Sequence, residues 1–282
     1  MYIMSIQERV KNNSLPIKQL RVIESILDDL ESNSFLSGNE LCEKFDVSFS
    51  SLTRLAKSLQ YNGFPEFKKD IERMYKAEFS PSQQAEKFVQ DSKDKSILSI
   101  VFQSEISNLS RLAKQLDEAS LVECAKNINN SNRVFVIGLG QMALVAKKLS
   151  ESLKILSKNV VCLTELGFSK QIEMHSITKS DIVIAFSINK ELIELRDLFN
   201  SMQTKSICTI LFSDKKTGRL RKLTNYSFYA SSSGHGMINC ITPFIVSTNV
   251  LESILFSLDK HVHLTKIRNI EKKWNSLPIF IN

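Results

Sequence analysis

Apolar residues recur along this chain with two different periods, and the change from one to the other divides it. As far as about Asn129 the period is helical. Leu20, Ile23, Leu27 and Leu30 lie about a turn apart and predict a first helix over residues 17–31 with these four turned inward. Leu41, Cys42 and Phe45 give a short second helix one apolar side, and Leu52, Leu55, Ala56 and Leu59 do so for a third, completing a small three-helix core. Phe67, Ile71, Met74 and Tyr75 share a side of a further helix over residues 65–79. Ile100, Val101, Ile106, Leu109 and Leu112 predict another after Ile97, and one more covers residues 120–129. Beyond that point the runs shorten and become β-branched: RVFVIG, NVVCLT, DIVIAFS, SICTILF and YSFYAS read as five strands. Helical stretches, MALVAKKLSESLKIL and KELIELRDLFNSM, follow the first and third runs; SKQIEMHSIT and the basic DKKTGRLRKLTN make the other two connections. Strands alternating with helices predict a five-stranded parallel sheet flanked by helices. A last apolar helix, residues 242–258, is suited to burial or to a dimer interface. The fold class is therefore an all-α part followed by an α/β part.

Local signals sharpen the helical part. Ser37 with Glu40 three residues on is a capping box. Asp46 and Val47 make a turn, and Ser48 caps the next helix with its hydroxyl accepting near Ser51. Gly63 after Asn62 ends that helix, and Pro65 opens another. Two helices across a tight turn are a helix-turn-helix. The outer face of the second carries Ser50, Ser51, Arg54, Lys57 and Ser58: two cations, three hydroxyls and no acid. Arginine pairs with guanine and serine with base edges or phosphates, so this face suits the DNA major groove. A plain helical hairpin in a bundle is the alternative. The polar stretch FSPSQQAEKFVQDSKDKS marks the boundary, giving a DNA-binding domain over residues 1–79, a linker and connecting helix over 80–104, and an α/β domain over 105–282.

Composition constrains the partners. With 282 residues, 43% of them apolar, the chain supports a sizeable core. Net charge is +7, but residues 1–79 carry 11 Lys and Arg against 12 Asp and Glu, and the remainder 26 against 18. The case for DNA therefore rests on the recognition face and not on bulk charge. Cys42, Cys124, Cys162, Cys208 and Cys240 form no C-x-x-C pair, so neither a zinc site nor a disulfide framework is expected, and no cofactor or metal is implied. The start, MYIMSIQERV, has no signal-peptide pattern, and the apolar stretches are broken by Gln141, Lys147, Asn239 or Glu252. The expectation is a cytoplasmic protein with no membrane partner.

In a parallel sheet, ligands bind beyond the carboxyl ends of the strands. The loops there are residues 138–142, 187–190, 213–214 and 231–236, whose amides and hydroxyls suit phosphate.

Val47, Ser48, Ser51, Leu52, Thr53, Arg54, Lys57 and Leu59, with the closing Gly-Phe-Pro-Glu-Phe from Gly63 to Phe67, resemble the helix-turn-helix of RpiR-type bacterial transcriptional regulators. That family shows V-S-x-A-T-I-V-R-F, then a lysine, a leucine and G-F-x-x-F. Ser51 stands where threonine is usual, Leu55 for phenylalanine and Gln60 for glycine. The resemblance implies Ser48, Ser50, Ser51, Thr53, Arg54 and Lys57 as DNA-binding residues. Residues 105–260 resemble the SIS domain that this family carries, the sugar-phosphate-binding fold, which implies the flavodoxin-type strand order. VFVIGLGQMALVAKKLSESL is similar to its G-x-G-x-S element, Ser187 and Glu194 match its I-x-S-x-S-G-x-T-x-E element, and Ser213 stands at the threonine of its fourth strand. Met142 replaces the first-loop serine, Asn189 and Lys190 the serine and glycine of the third loop, and Leu192 its threonine. Lysine takes a positive backbone torsion less freely than glycine, yet offers a point charge to phosphate. The resemblance implies an effector site of Gly138, Gly140, Gln141, Ser187, Asn189, Lys190 and Ser213 holding a phosphorylated sugar. A degenerate site in a domain that only dimerises is the alternative. A homodimer or dimer of dimers on a double-stranded, palindromic operator follows from the same resemblance.

Other readings compete. GLGQMA also fits the dinucleotide fingerprint, with Glu165 for a ribose hydroxyl, which would make an NAD-sensing regulator. Related SIS domains are isomerases, and Glu194, His175 and His235 are the candidate bases. His261 and His263 lie in a basic tail that reads as a solvated helix end, and Trp274 is expected to pack on the sheet domain or a partner.

Overall fold

The computed structural model describes residues 6–275 except Asp29, 79–80, Ser157, Leu166, Thr217 and 235–238. The chain falls into two compact units, residues 1–93 and 94–282.

The first unit is all helix: α1 (Ile6–Asn12), α2 (Ile17–Asp28), α3 (Leu30–Phe35), α4 (Gly38–Phe45), α5 (Phe49–Ser58), α6 (Phe64–Glu78) and most of α7 (Pro81–Asp94). Its core gathers Ile23, Ile26, Leu30, Leu41, Leu52, Leu55, Ala56, Leu59, Phe67 and Ile71. Three sequence expectations change here. A helix, α1, precedes the one expected to come first; Ile6 plugs into the core at 2% exposure, and Arg9 donates to the carbonyls of Leu59 and Gln60. The helix expected over residues 17–31 ends at Asp28 and a new one starts at Leu30. Within it Ile23 and Ile26 face inward, while Leu20 and Leu27 lie at the margin. The polar stretch expected as linker and connecting helix contains α7.

Asn33, fully buried, ties four of these helices together. Its amide donates to the Ser25 and Ile26 carbonyls, its side-chain oxygen accepts from Lys44, and Lys68 donates to its backbone carbonyl. Burial pushes the Lys68 ammonium below its ordinary pKa.

The second unit begins with α8 (Ile97–Gln115) and α9 (Glu118–Asn130) and then alternates β1 (Val134–Gly138), α10 (Met142–Ile155), β2 (Val160–Leu163), α11 (Phe168–His175), β3 (Ile182–Ser187), α12 (Ile193–Thr204) and β4 (Cys208–Ser213). A 3₁₀ turn (Leu220–Leu223), β5 (Tyr226–Tyr229), α13 (Thr242–Leu258) and α14 (Lys260–Asn275) complete it. All strand pairs are parallel and the order is β2-β1-β3-β4-β5, the flavodoxin-type order that the SIS resemblance implies.

Both faces are covered. On one, Phe186, Phe212 and Phe228 stack across three strands at 5.4 and 5.1 Å beneath α9, α10 and α13. On the other, Phe135, Val183, Ala185 and Leu211 meet Leu195, Leu198, Phe199 and Met202 of α12. Burial on two sides is why β1 and β3 are continuously apolar.

The inner side of α8 is Asn108 and Leu112, and Ile106, expected inside, is 59% exposed. It lines up with Leu98 and Phe102 in an apolar stripe that nothing in the described chain covers. In the tail, His263 is buried and not solvated: its Nδ1 lies 3.2 Å from the Phe256 carbonyl. Trp274, expected to be packed, is 46% exposed. Among the described residues no helix is long and apolar enough to cross a membrane, and no cluster of His, Cys, Asp and Glu is arranged to hold a metal ion.

Candidate DNA-reading face and effector cleft

The helix pair α4–α5 is built from local bonds. Ser37 Oγ accepts from the Glu40 amide at 3.3 Å, and the Ser37 amide donates to the Glu40 carboxylate at 2.7 Å. These bonds hold the Glu40 carboxyl below its ordinary pKa. At the other end of α4, Asp46 turns left-handed at φ 50°. The Val47 amide reaches the Cys42 carbonyl and the Asp46 amide that of Glu43, the two bonds of a Schellman ending. Aspartate is among the few side chains that enter this torsion readily. Ser48 then caps α5, its Oγ accepting from the Ser51 amide at 3.2 Å.

The end of α5 differs from expectation. Gly63 does not terminate it; Gln60 does, at φ 64°, with Tyr61 N–H to Ala56 O and Gln60 N–H to Lys57 O. This is a second Schellman ending, with glutamine where that torsion favours glycine. Gly63 instead begins α6, its carbonyl accepting from Phe67 while Asn62 is held by Glu66. Packing of Tyr61 and Phe67 in the core, ring centroids 5.4 Å apart, sets where the chain must turn.

With Leu52, Leu55, Ala56 and Leu59 buried, α5 shows Ser50, Arg54 and Lys57 fully to solvent and Ser51, Thr53 and Ser58 partly. Ser48 Oγ lies 2.8 Å from Ser50 Oγ and 2.9 Å from Ser51 Oγ, a linked trio of hydroxyls. Thr53 Oγ1 donates back to the Phe49 carbonyl, so its proton is engaged by the helix. Arg54 Nε reaches the Ser50 carbonyl only at 3.4 Å, near the outer limit of a hydrogen bond. The sequence reading passed over Phe49. It is the first residue of α5 and 48% exposed, and its ring stands edge-on to Phe64 at 5.3 Å. A Cβ on Gly38 would lie 2.5 Å from this ring. Its place directly after the helix cap is the signal that would have found it.

In the second unit, register brings the implied effector residues to one edge. Gly138 pairs with Phe186 and Ser187 with Ser213, so the loops after β1, β3 and β4 open side by side. At Gly138 a Cβ would lie 2.3 Å from the Met142 carbonyl, so the first turn of α10 sits directly on the strand end. Gln141 is exposed, and Asn239 donates to its Oε1 at 3.5 Å. Ser187 is buried, and Lys190 is exposed at the rim. The strain expected at Lys190 does not arise there: the left-handed residue is Asn189, at φ 64°, which asparagine tolerates.

The loop exists in this shape because of Asp214, to which the sequence reading gave no role. The Asn189 amide donates to both Asp214 oxygens at 3.1 and 2.9 Å, and Ser232 Oγ donates to Oδ2 at 2.6 Å. Asp214 is 1% exposed, and burial pushes its carboxyl above the ordinary carboxylate range despite bonds from Ser232 and Asn189 and the nearby Lys215. Ser213 Oγ accepts from the Lys215 amide at 3.1 Å. Two donors of the cleft are thus engaged by a resident carboxylate. The outward groups are Lys190, Gln141 and the Gly140 loop.

Among the described rival bases, Glu194 and His175 do not come together. Glu194 opens α12 at the carboxyl edge of the sheet. His175 ends α11, next to Ser176, whose carbonyl accepts from Arg133 at the start of β1, so it lies at the opposite edge. His235 lies outside the described residues. Glu165 is exposed beyond β2.

A turn-coupled helix pair with a cationic, hydroxyl-rich face, followed in sequence by an α/β unit whose loops line one sheet edge, is the arrangement of a two-part transcriptional regulator. Residues 4–78 match the helix-turn-helix domain of the rpiR family and residues 127–258 match the SIS domain. The two matches together identify the chain as an RpiR-type transcriptional regulator. It is 23% identical over 233 residues to an uncharacterized HTH-type transcriptional regulator of Clostridium perfringens, covering 82% of this chain and 83% of that one. It is 23% identical over 211 residues to the HTH-type transcriptional regulator GlvR of Bacillus subtilis, covering 75% and 76%. Its fold is similar to that of the Vibrio vulnificus NanR protein complexed with ManNAc-6P, with TM-score 0.59 and 16% identity over 99% of this chain and 100% of that one. The sugar isomerase domain of an RpiR transcription factor from Sphaerobacter thermophilus is similar at TM-score 0.60 and 20% identity, covering 63% of this chain and 99% of the domain.

Proposed function

We propose that α5 reads a DNA operator with Ser48, Ser50, Ser51, Thr53, Arg54 and Lys57, and that the α/β unit dimerises and takes a phosphorylated sugar as effector. The observation that carries the DNA half is the outer face of α5: two exposed cations and a linked trio of hydroxyls at its amino end, with no acid. Side chains at that end of a recognition helix are the ones that meet base edges. Arg54 supplies base readout and Lys57 phosphate contact. Arg54→Ala then weakens binding to the operator and relaxes its sequence preference, while Lys57→Ala weakens operator and scrambled duplex alike. Gel-shift titrations on both duplexes test this, and unchanged affinity in both variants refutes the assignment.

Support for the effector half is the alignment of Gly138, Gly140, Gln141, Ser187, Asn189, Lys190 and Ser213 along one sheet edge, together with a structural relative that holds a sugar phosphate. Lys190 is the group placed to meet the phosphate charge. The chain is read as a regulator and not as an isomerase; the separation of Glu194 and His175 to opposite edges of the sheet supports that reading. The exposed stripe of Leu98, Phe102 and Ile106 is the surface offered for a homodimer, or a dimer of dimers, which favours a palindromic operator. An effector then acts by its different affinity for the DNA-competent and DNA-incompetent arrangements. Thermal-shift titration with sugar phosphates raises the melting temperature of the wild type but not of Lys190→Ala. Absence of a shift with every sugar phosphate leaves the domain a dimerisation module.

A further inference from the structure

We infer that Phe49 reads the methyl group of a thymine in the operator, a contact that rests on the assignment of α5 as the DNA-reading helix. Phe49 is the first helical residue after the Ser48 cap, the position from which a recognition helix reaches base edges. It is the one large apolar side chain that α5 exposes, 48% open to solvent among hydroxyls and cations. One edge of the ring rests on Phe64 while about half of it stays in water, and the buried packing of α5 is supplied by Leu52, Leu55 and Ala56. The major groove displays one apolar group, the thymine C5-methyl, and phenylalanine is a side chain that meets it.

The ring is also pre-positioned. Phe64 holds it edge-on at 5.3 Å and 62°, and the missing side chain of Gly38 leaves the space it fills. A side chain already held in one place loses little freedom on binding. The hydroxyls of Ser48, Ser50 and Ser51 flank it, so a thymine contact by Phe49 and polar contacts to neighbouring bases or phosphates are made from the same turn.

Uracil lacks only that methyl, so it isolates the contact. Operator duplexes are selected from random sequence with the full chain, and each selected thymine is then replaced in turn by uracil. For the wild type, one thymine per half-site is expected to be sensitive, its replacement weakening binding by roughly fourfold, the value of one buried methyl-sized group. Phe49→Ala is expected to bind thymine and uracil duplexes equally, with its salt dependence unchanged. If Phe49→Ala does not fold, Phe49→Leu, which keeps a smaller apolar tip, is expected to retain a reduced preference. Indifference of the wild type to uracil at every operator thymine overturns the inference and leaves the operator reading standing. Retention of the full preference in a folded Phe49→Ala does the same. Failure to select any duplex overturns both together.

Discussion

Gln60→Gly is expected to stabilise the N-terminal unit while leaving DNA affinity unchanged. Gln60 sits at φ 64°, the left-handed position of the Schellman ending that stops the recognition helix. For a side chain with a Cβ this torsion costs roughly 1–2 kcal/mol. Glycine removes that cost but gives the unfolded chain about 0.5–1 kcal/mol more entropy to lose. The substitution also removes the exposed bond from Gln60 Nε2 to Asn13 Oδ1, 3.2 Å long and close to solvent. The bonds from Arg9 to the Gln60 and Leu59 carbonyls are kept, because they are made to the main chain. The balance is a gain of about 0.5–1 kcal/mol, or several degrees in melting temperature for a unit of this size. Hydrogen exchange of the amides of α5 in the full chain reads the gain locally, where a thermal melt reads it globally. Gln60→Ala is the control, since it loses the same side-chain bond but keeps the Cβ; it is expected to be neutral or slightly destabilised. A Gln60→Gly variant no more protected than Gln60→Ala would refute the argument from torsion.

Asp181→Asn tests a charge pair at the amino edge of the sheet. Burial opposes ionisation of Asp181, but bonds from Arg133 and from the amide and hydroxyl of Thr178 outweigh it and hold the carboxyl below its usual range. Its contribution is therefore complete above the unfolded carboxylate range and is lost as pH falls through the lower, folded value. The variant should lose about 1–3 kcal/mol at neutral pH in urea denaturation, with the difference from wild type closing in strong acid. Phe212→Ala, at the centre of the stacked phenylalanines, should cost about 3–5 kcal/mol in the same assay. Asp214→Ala should cost about 1–3 kcal/mol by stranding the Asn189 amide and the Ser232 hydroxyl, and should raise hydrogen exchange in the loop after β3. Equal exchange in wild type and variant there would show that Asp214 does not hold the loop.

Much of the fold was written locally. The β-branched runs became parallel strands, as their alternation with helices predicts, because a parallel sheet buried on both faces needs continuous apolar segments. The capping box at Ser37 and the cap at Ser48 were legible because each bond closes within three residues. So was the polar face of α5, whose character depends only on helical spacing. Other features depended on groups far apart in the chain. Periodicity named Leu27, and the packed core chose Ile26 instead. α1 is seven residues long, too short for a pattern, and its place depends on Ile6 entering a cavity made by other helices. Gly63 looked like a helix end, yet burial of Tyr61 and Phe67 forced the turn earlier, onto Gln60. In the cleft, Asn189, Asp214 and Ser232 come from three separate loops, and only sheet register brings the carboxylate to its donors. The sequence by itself determined which segments become helix or strand and which residue types α5 turns outward, because those signals act within a turn or two. Tertiary structure alone decided which apolar side chains are buried, where α5 stops and which donors of the cleft are already engaged, because each requires contact between residues distant along the chain.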